Sequence, residues 1–278
     1  MLHSERAPAK INLALHVLGR GSDGYHELDS IVAFADVADR LSFADSEDWQ
    51  LAITGPFAAE LADTAGNLVL KAARDFADAF PARSRPYHIT LEKNLPIAAG
   101  IGGGSADAAA CLRGLAALAG GVDAEGLRAV AAGLGADVPV CLLNRACRMR
   151  GVGDRLEPLA DVAPMPAVLV NPRRPVATAE VFAKLALAPG DSAFEGLVAG
   201  ADIASYRNDL TAPALALEPV IAEVIQALQA TEGVHFARMS GSGATCFGIF
   251  PSVQEADAAA IDVMGAHPDW WVMPTKIG

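Results

Sequence analysis

The chain is 278 residues long, enough for one large domain or two modest ones around a real core. With 52% hydrophobic and 19% charged residues it is not a disordered chain. Its 33 Asp and Glu against 21 Lys and Arg, a formal charge of −12, exclude nucleic acid as a bulk partner, so any anionic ligand must be met by a few local lysines and backbone amides. Every long apolar stretch is broken by charge or glycine, so no membrane span is expected, and Lys10 and His16 interrupt the apolar start that a secretory signal needs. Cys111, Cys141, Cys147 and Cys246 form no C-x-x-C pair and no zinc spacing, and read as reduced core thiols of a cytoplasmic protein.

Residues 7–18 alternate, with Ile11, Leu13, Leu15 and Val17 on one face of a strand and Lys10, Asn12, Ala14 and His16 on the other. A polar turn over 19–24 leads into Tyr25-His26-Glu27-Leu28, and residues 30–36 and 40–43 suit two further strands of the same sheet. Residues 67–79 have helical spacing, with Leu68, Ala72 and Phe76 on one stripe, and 87–92 form a short strand that delivers the chain into a glycine-rich run. A helix then reaches about residue 118, where Gly120-Gly121 stops it. Asp123 caps the next helix, which closes at 133–135, and Asp137-Val138-Pro139-Val140 follows.

After Asp154 the pattern changes. A strand at 167–171, helices at 178–187 and 213–230, strands at 234–239 and 244–250, a helix at 254–264 and a strand near 270–273 are expected. The two middle strands flank Ser240-Gly241-Ser242-Gly243. This β-α-β-β-α-β order suits a ferredoxin-like half with helices on one face, and a boundary is expected near residue 155.

The glycine-rich run is the most informative stretch. It reads Pro96, Ile97, Ala98, Ala99, Gly100, Ile101, Gly102, Gly103, Gly104, Ser105, Ala106. Four glycines permit backbone shapes closed to other residues, Ser105 is expected to cap the helix that follows, and an alanine-rich sequence propagates that helix. A loop of bare N–H groups emptying into a helix N-terminus is an anion site, and phosphate is its natural guest. The loop is not a Walker A motif, because no lysine lies between Gly100 and Ser105. Nor is it a dinucleotide fingerprint, since Ser105 stands where the third glycine belongs and no acidic ribose partner follows. That excludes a nicotinamide-dependent oxidoreductase, and Pro96 with the immediate helix start argues against a plain flexible linker.

Three separated segments, Ala9-Lys10-Ile11-Asn12-Leu13, Pro96 to Ala106 and Ser240-Gly241-Ser242-Gly243-Ala244, together resemble the motifs of the GHMP-type small-molecule kinases. That family is named from galactokinase, homoserine kinase, mevalonate kinase and phosphomevalonate kinase. Asp23-Gly24-Tyr25-His26-Glu27-Leu28 and Gly135-Ala136-Asp137-Val138-Pro139 resemble the branch whose acceptor is a cytidine-diphosphate-linked polyol. The likeness runs through nearly the whole chain in the right order. It implies a mixed α/β (α+β), two-lobed GHMP-kinase-like fold. A ribosomal-S5-like, ATP-binding and catalytic lobe would cover 1–155, and a ferredoxin-like substrate lobe 156–278.

The resemblance also implies roles. ATP is the phosphoryl donor, Mg2+ arrives with it, and no protein metal site is expected. Asp137 takes the proton of the attacking hydroxyl, and Lys10 steadies that aspartate and the phosphoryl oxygens through its charge. By themselves these two residues also suit a surface lysine on an edge strand and a helix cap before a proline. Residues Pro96 to Ala106, with Asn67 and Lys93, fall on the ATP side, Ser105 joining the phosphates or the Mg2+. Lys93 alone equally suits a solvated strand end. Tyr25 and Phe182 look like the two stacking faces for a cytosine, and His26 like the reader of its edge. At helical spacing from Leu185, Phe182 alone also suits a core position. Asn12, Thr178, Gly241, Ser242 and Gly243 join the acceptor side.

A homoserine or sugar acceptor leaves Tyr25-His26 without a base to stack upon, and a non-catalytic nucleotide sensor leaves Lys10 and Asp137 without a use. His3, His88, His235 and His267 show no ligand spacing.

Overall fold

A computed structural model describes residues 3–61, 66–160, 162–198 and 200–278. Of these, one compact unit holds 3–9, 37–97 and 102–144, and a second holds 10–36, 98–101 and the residues from 145 on. The units interleave along the chain, whereas the change of pattern near 155 suggests consecutive lobes. Long strands are the reason: β1 (His3–Arg20) and β2 (His26–Asp45) each contribute residues to both units.

Both strands depart from the pattern expected of them. On β1 the polar face is as buried as the apolar one, with Lys10, Asn12 and His16 at 4% exposure or less. β2 runs unbroken through the stretch where two strands with a gap are expected. The expected gap over residues 37–39 is strand as well, and the Asp39 carboxylate within it is fully buried and bonded inside the protein.

In the first unit, β4 (Tyr87–Glu92) lies antiparallel to the Arg40–Asp45 end of β2 and parallel to β3 (Gln50–Thr54), a strand the sequence pattern does not reveal. Helix α1 (Leu68–Ala79) packs on α2 (Gly103–Leu118), and α3 (Ala124–Leu134) and the short α4 (Val138–Leu143) complete the helical layer. Helix α2 approaches β2 so closely at Gly114 that a Cβ there would clash with the Phe43 ring.

One buried cation organises this unit. The Lys93 ammonium donates to Asp39 and to Asp107 (2.8 Å), and all three side chains are at most 4% exposed. The other Asp39 oxygen accepts from the Asn94 (2.5 Å) and Leu95 (2.8 Å) amides. The stretch entering the glycine loop, the middle of β2 and the second turn of α2 are thereby fastened to one point. The remaining Asp107 oxygen has no protein partner. Burial pushes the Asp107 carboxyl up to about 7, against the pull of Lys93.

The second unit adds β5 (Cys147–Gly151), antiparallel to Leu28–Val32 of β2 and to β6 (Arg155–Pro158). Its remainder follows the expected ferredoxin-like order: β7 (Met165–Asn171), α5 (Thr178–Ala183), α6 (Thr211–Leu217), α7 (Val220–Gln229), β8 (Phe236–Met239), β9 (Cys246–Ile249), α8 (Val253–Ala266) and β10 (Trp271–Ile277). The strands lie in the order β10-β7-β9-β8, every neighbour antiparallel, with Trp271 opposite Asn171 and Ile277 opposite Met165. Apolar residues of α7 and α8, among them Val224, Leu228, Ala260 and Val263, share one buried cluster with Val168 and Cys246 of the sheet. The single helix expected over 213–230 is two, broken at Pro219, since the residue before a proline is driven out of helical geometry. The helix at 178 stops at Ala183, and Ala186 then turns with φ 55°.

An unfolded Asp107 ionises near its ordinary 3.8, so between about pH 4 and 7 the folded protein holds a proton that the unfolded chain has released. This group's contribution to stability therefore falls as pH rises through that window. Asp107→Asn keeps an acceptor for Lys93 but no proton, and urea melts at pH 4.5 and 7 should show a smaller stability difference than wild type; an unchanged difference refutes the assignment. Lys93→Met leaves the buried Asp39 carboxylate and Asp107 carboxyl without their shared partner and should cost about 3–5 kcal/mol in the same melts.

Candidate active site

In the second unit three distant stretches of chain meet through their backbones. The Lys10 amide donates to Ile101 O (2.9 Å) and the Asn12 amide to Ser240 Oγ (3.1 Å), while Ser240 Oγ donates to Gly100 O (3.3 Å). Thr245 N donates to Ala99 O (3.1 Å), and the 240–245 turn is closed by Ser240 N to Thr245 O (2.9 Å) and Gly243 N to Ser240 O (3.0 Å). Only glycine fits here. A Cβ on Gly100 (φ 72°) would lie 2.8 Å from Gly243 N and from Ser240 O, and one on Gly241 (φ 55°) 2.5 Å from Gly100 O.

Around this junction the polar side chains are buried. Asn12 donates from Nδ2 to Ser30 Oγ (2.8 Å), which passes its own proton to Ala14 O (2.6 Å), and Asn12 Oδ1 has no protein partner. Lys10, 4% exposed, is no surface lysine; its ammonium opposes the burial that pushes the Cys147 thiol up to about 11. The Thr178 and Ser242 hydroxyls are 2.9 Å apart, and Asn171 Nδ2 donates to Thr245 Oγ1 (2.8 Å).

The residues expected to meet a base lie in the same unit. Tyr25 is 66% exposed. The His26 and Phe182 rings stand 4.8 Å apart between centroids, so Phe182, although it packs on the core, also faces the Tyr25-His26 turn. Loss of hydration, helped by the nearby Arg20 charge, holds His26 below its usual range and keeps the ring neutral near pH 7.

The first unit supplies the start of α2. Its cap is Gly102, left-handed at φ 64°, and no side chain bonds the first turn. Ser105, expected at the cap, lies inside that turn instead, because the glycine lets the helix begin three residues earlier. The N–H groups of Gly103, Gly104 and Ser105 thus point out of a helix end that nothing caps, unlike α1, α3 and α8, whose ends bond Asn67, Asp123 and Ser252. A Cβ on Gly104 would meet nothing within 4 Å.

Asn67 therefore has its Oδ1 engaged by Val69 N (2.9 Å), and the Lys93 ammonium is held by Asp39 and Asp107 rather than solvated. Asp137 stands at the start of α4 without bonding the helix end, so its carboxylate is not spent as a cap. Lys10 and Asp137 belong to different units. Residues the sequence reading missed include Asp39, Asp107, Ser30 and Arg20. Asp107 had a signal, a lone charge within a buried alanine run, whereas Ser30 had none.

The family described as "GHMP kinases N terminal domain" matches residues 67–145, and "GHMP kinases C terminal" matches 194–263. A protein of Bradyrhizobium diazoefficiens, 52% identical over 96% of this chain and 95% of its own length, is named 4-diphosphocytidyl-2-C-methyl-D-erythritol kinase. So is one from another Bradyrhizobium species, 51% identical over 96% and 94%. A solved 4-(cytidine 5'-diphospho)-2C-methyl-D-erythritol kinase superposes with a TM-score of 0.83 at 37% identity, over 99% of both chains. The bare helix end, the glycine junction and these likenesses along the full length have one explanation: the chain belongs to the GHMP kinase family.

Proposed function

We propose that this protein transfers the γ-phosphoryl group of ATP to the 2-hydroxyl of 4-diphosphocytidyl-2-C-methyl-D-erythritol, giving the 2-phosphate and ADP, a step of non-mevalonate isoprenoid precursor synthesis. The observation that carries the reading is the glycine junction of the second unit, which gathers the Lys10-Asn12 strand, residues 99–101 and the 240–245 turn in a chain about half identical to relatives named for that reaction. The four cysteines, all buried thiols outside any disulfide, support a reducing compartment, and we assign the protein to the cytoplasm.

Phosphoryl transfer asks a protein mainly for positioning and for charge placed where charge develops. We assign the phosphates of ATP to Pro96 through Ala106, whose uncapped amides at Gly103, Gly104 and Ser105 favour an anion. Asn67 and the segment anchored by Lys93 serve the nucleoside side. Asp137 takes the proton of the 2-hydroxyl as its oxygen attacks, and Lys10 opposes the negative charge on the phosphoryl oxygens.

Among the described residues no group of three or more His, Cys, Asp or Glu is placed to hold a metal. A Mg2+ ion carried with ATP would be held mainly by the triphosphate, with the Ser105 hydroxyl as the protein's contribution, and would supply neutralisation of phosphate charge. On the acceptor side, Tyr25 and Phe182 hold the cytosine and His26 reads its edge. Asn12, Thr178, Gly241, Ser242 and Gly243 meet the diphosphate and polyol.

ADP release measured with the cytidylyl acceptor, homoserine, mevalonate and galactose in parallel should be fast only with the first; turnover of another acceptor at equal or greater rate refutes the reading. Asp137→Asn should lower kcat roughly 10²- to 10⁴-fold while ATP still binds, and near-normal turnover removes this carboxylate from the mechanism. Tyr25→Ala should raise the acceptor KM far more than the ATP KM. Equal effects on the two would show that the ring does not hold the base.

A further inference from the structure

The turn bearing Tyr25 and His26 is tied to the segment that follows α5 by a side chain at the end of β1. Arg20 is half-buried, and its guanidinium reaches in two directions: Nε donates to Gly24 O (2.9 Å) and Nη1 to Leu187 O (2.9 Å). Its backbone is fixed as well, Arg20 N donating to Asp191 O (2.8 Å) and Arg20 O accepting from Gly190 N (2.6 Å). Gly24 O is the carbonyl of the peptide that Tyr25 completes. Leu187 packs against the same core cluster as Phe182.

The turn has bonds of its own. Gly21 N donates to Tyr25 O (2.8 Å), Gly24 N to Gly21 O (3.0 Å) and Tyr25 N to Asp23 Oδ1 (3.0 Å). These set its internal shape. The bond from Arg20 to Leu187 does something else: it fixes the turn against the segment after α5, where Phe182 stands 4.8 Å from His26.

A rigid planar fork with donors on different sides suits this bridging, and a lysine ammonium lacks that geometry. The same guanidinium adds to the burial that keeps His26 uncharged, and a neutral imidazole offers one donor and one acceptor to a base edge.

We infer that Arg20 is a positioning residue for acceptor recognition, setting the Tyr25-His26 turn at the distance from Phe182 that a flat base requires. It touches neither reacting group. The inference deepens the proposed function and rests on the acceptor carrying a cytosine.

The test uses the full chain with Arg20→Met and Arg20→Lys, measuring kcat, both KM values and the binding of CDP alone by calorimetry. In Arg20→Met the acceptor KM and the CDP Kd should rise about tenfold or more, with kcat and the ATP KM within about twofold of wild type. Arg20→Lys should fall between, since it keeps the charge but not the fork; should Arg20→Met not fold, Arg20→Lys supplies the same comparison. An unchanged acceptor KM and CDP Kd, or a fall in kcat together with a rise in both KM values, overturns the inference. A wild-type protein that neither binds CDP nor uses the cytidylyl acceptor overturns the proposed function instead.

Discussion

Backbone lies directly on backbone where Gly100 meets Gly241 and Gly243, and most of the candidate site depends on that contact. Two loops far apart in sequence approach so closely that a single methyl group has no room on either side. Hydrogen bonds from Asn12 N to Ser240 Oγ and from Ser240 Oγ to Gly100 O bring β1 to the same point. Asn208 holds the turn from behind, donating to both Met239 O and Gly241 O at 2.8 Å. The side chains proposed to carry chemistry on this strand and turn are thus placed by peptide groups, which lack the rotameric freedom that would blur a site built from long side chains.

Each unit spends its buried polar residues on holding loops rather than on stability alone. In the first, one ammonium between two carboxylates anchors the approach to the glycine loop. Desolvation takes back much of the Coulombic gain of such a cluster, so its main product is a defined geometry. In the second, Asp29 accepts from Arg148 Nε (2.7 Å) and Nη2 (2.6 Å) and from Leu197 N (2.9 Å), and Asp209 accepts from Val17 N (2.9 Å). Segments without regular structure are made firm in this way.

What could be read in advance follows from which interactions are local. Strand β4 and helix α2 agree with expectation, because alternation, glycine stops and alanine content act over a few residues. The ferredoxin-like order was legible for the same reason, since each element announces itself. The gap expected within β2 holds Asp39, whose partners lie 54 to 56 residues away, and no local pattern reports them. The cap at Gly102 rather than Ser105 turns on a left-handed φ that several adjacent glycines could each have supplied. At the site, motif likeness named the residues, but only coordinates show that Phe182 faces His26, that Lys93 is held by two carboxylates, and that Arg20 joins two segments.

The most direct test is a single methyl group at the junction. Gly100→Ala adds no charge and no functional group, yet it places a Cβ against Gly243 and Ser240 in a left-handed conformation that disfavours alanine by about 1–2 kcal/mol before any clash. Steady-state kinetics on folded variant, checked by circular dichroism, should show kcat/KM falling about a hundredfold or more for ATP and for the acceptor together, because the junction serves both loops. Kinetics close to wild type, or a loss confined to one substrate, would contradict the account.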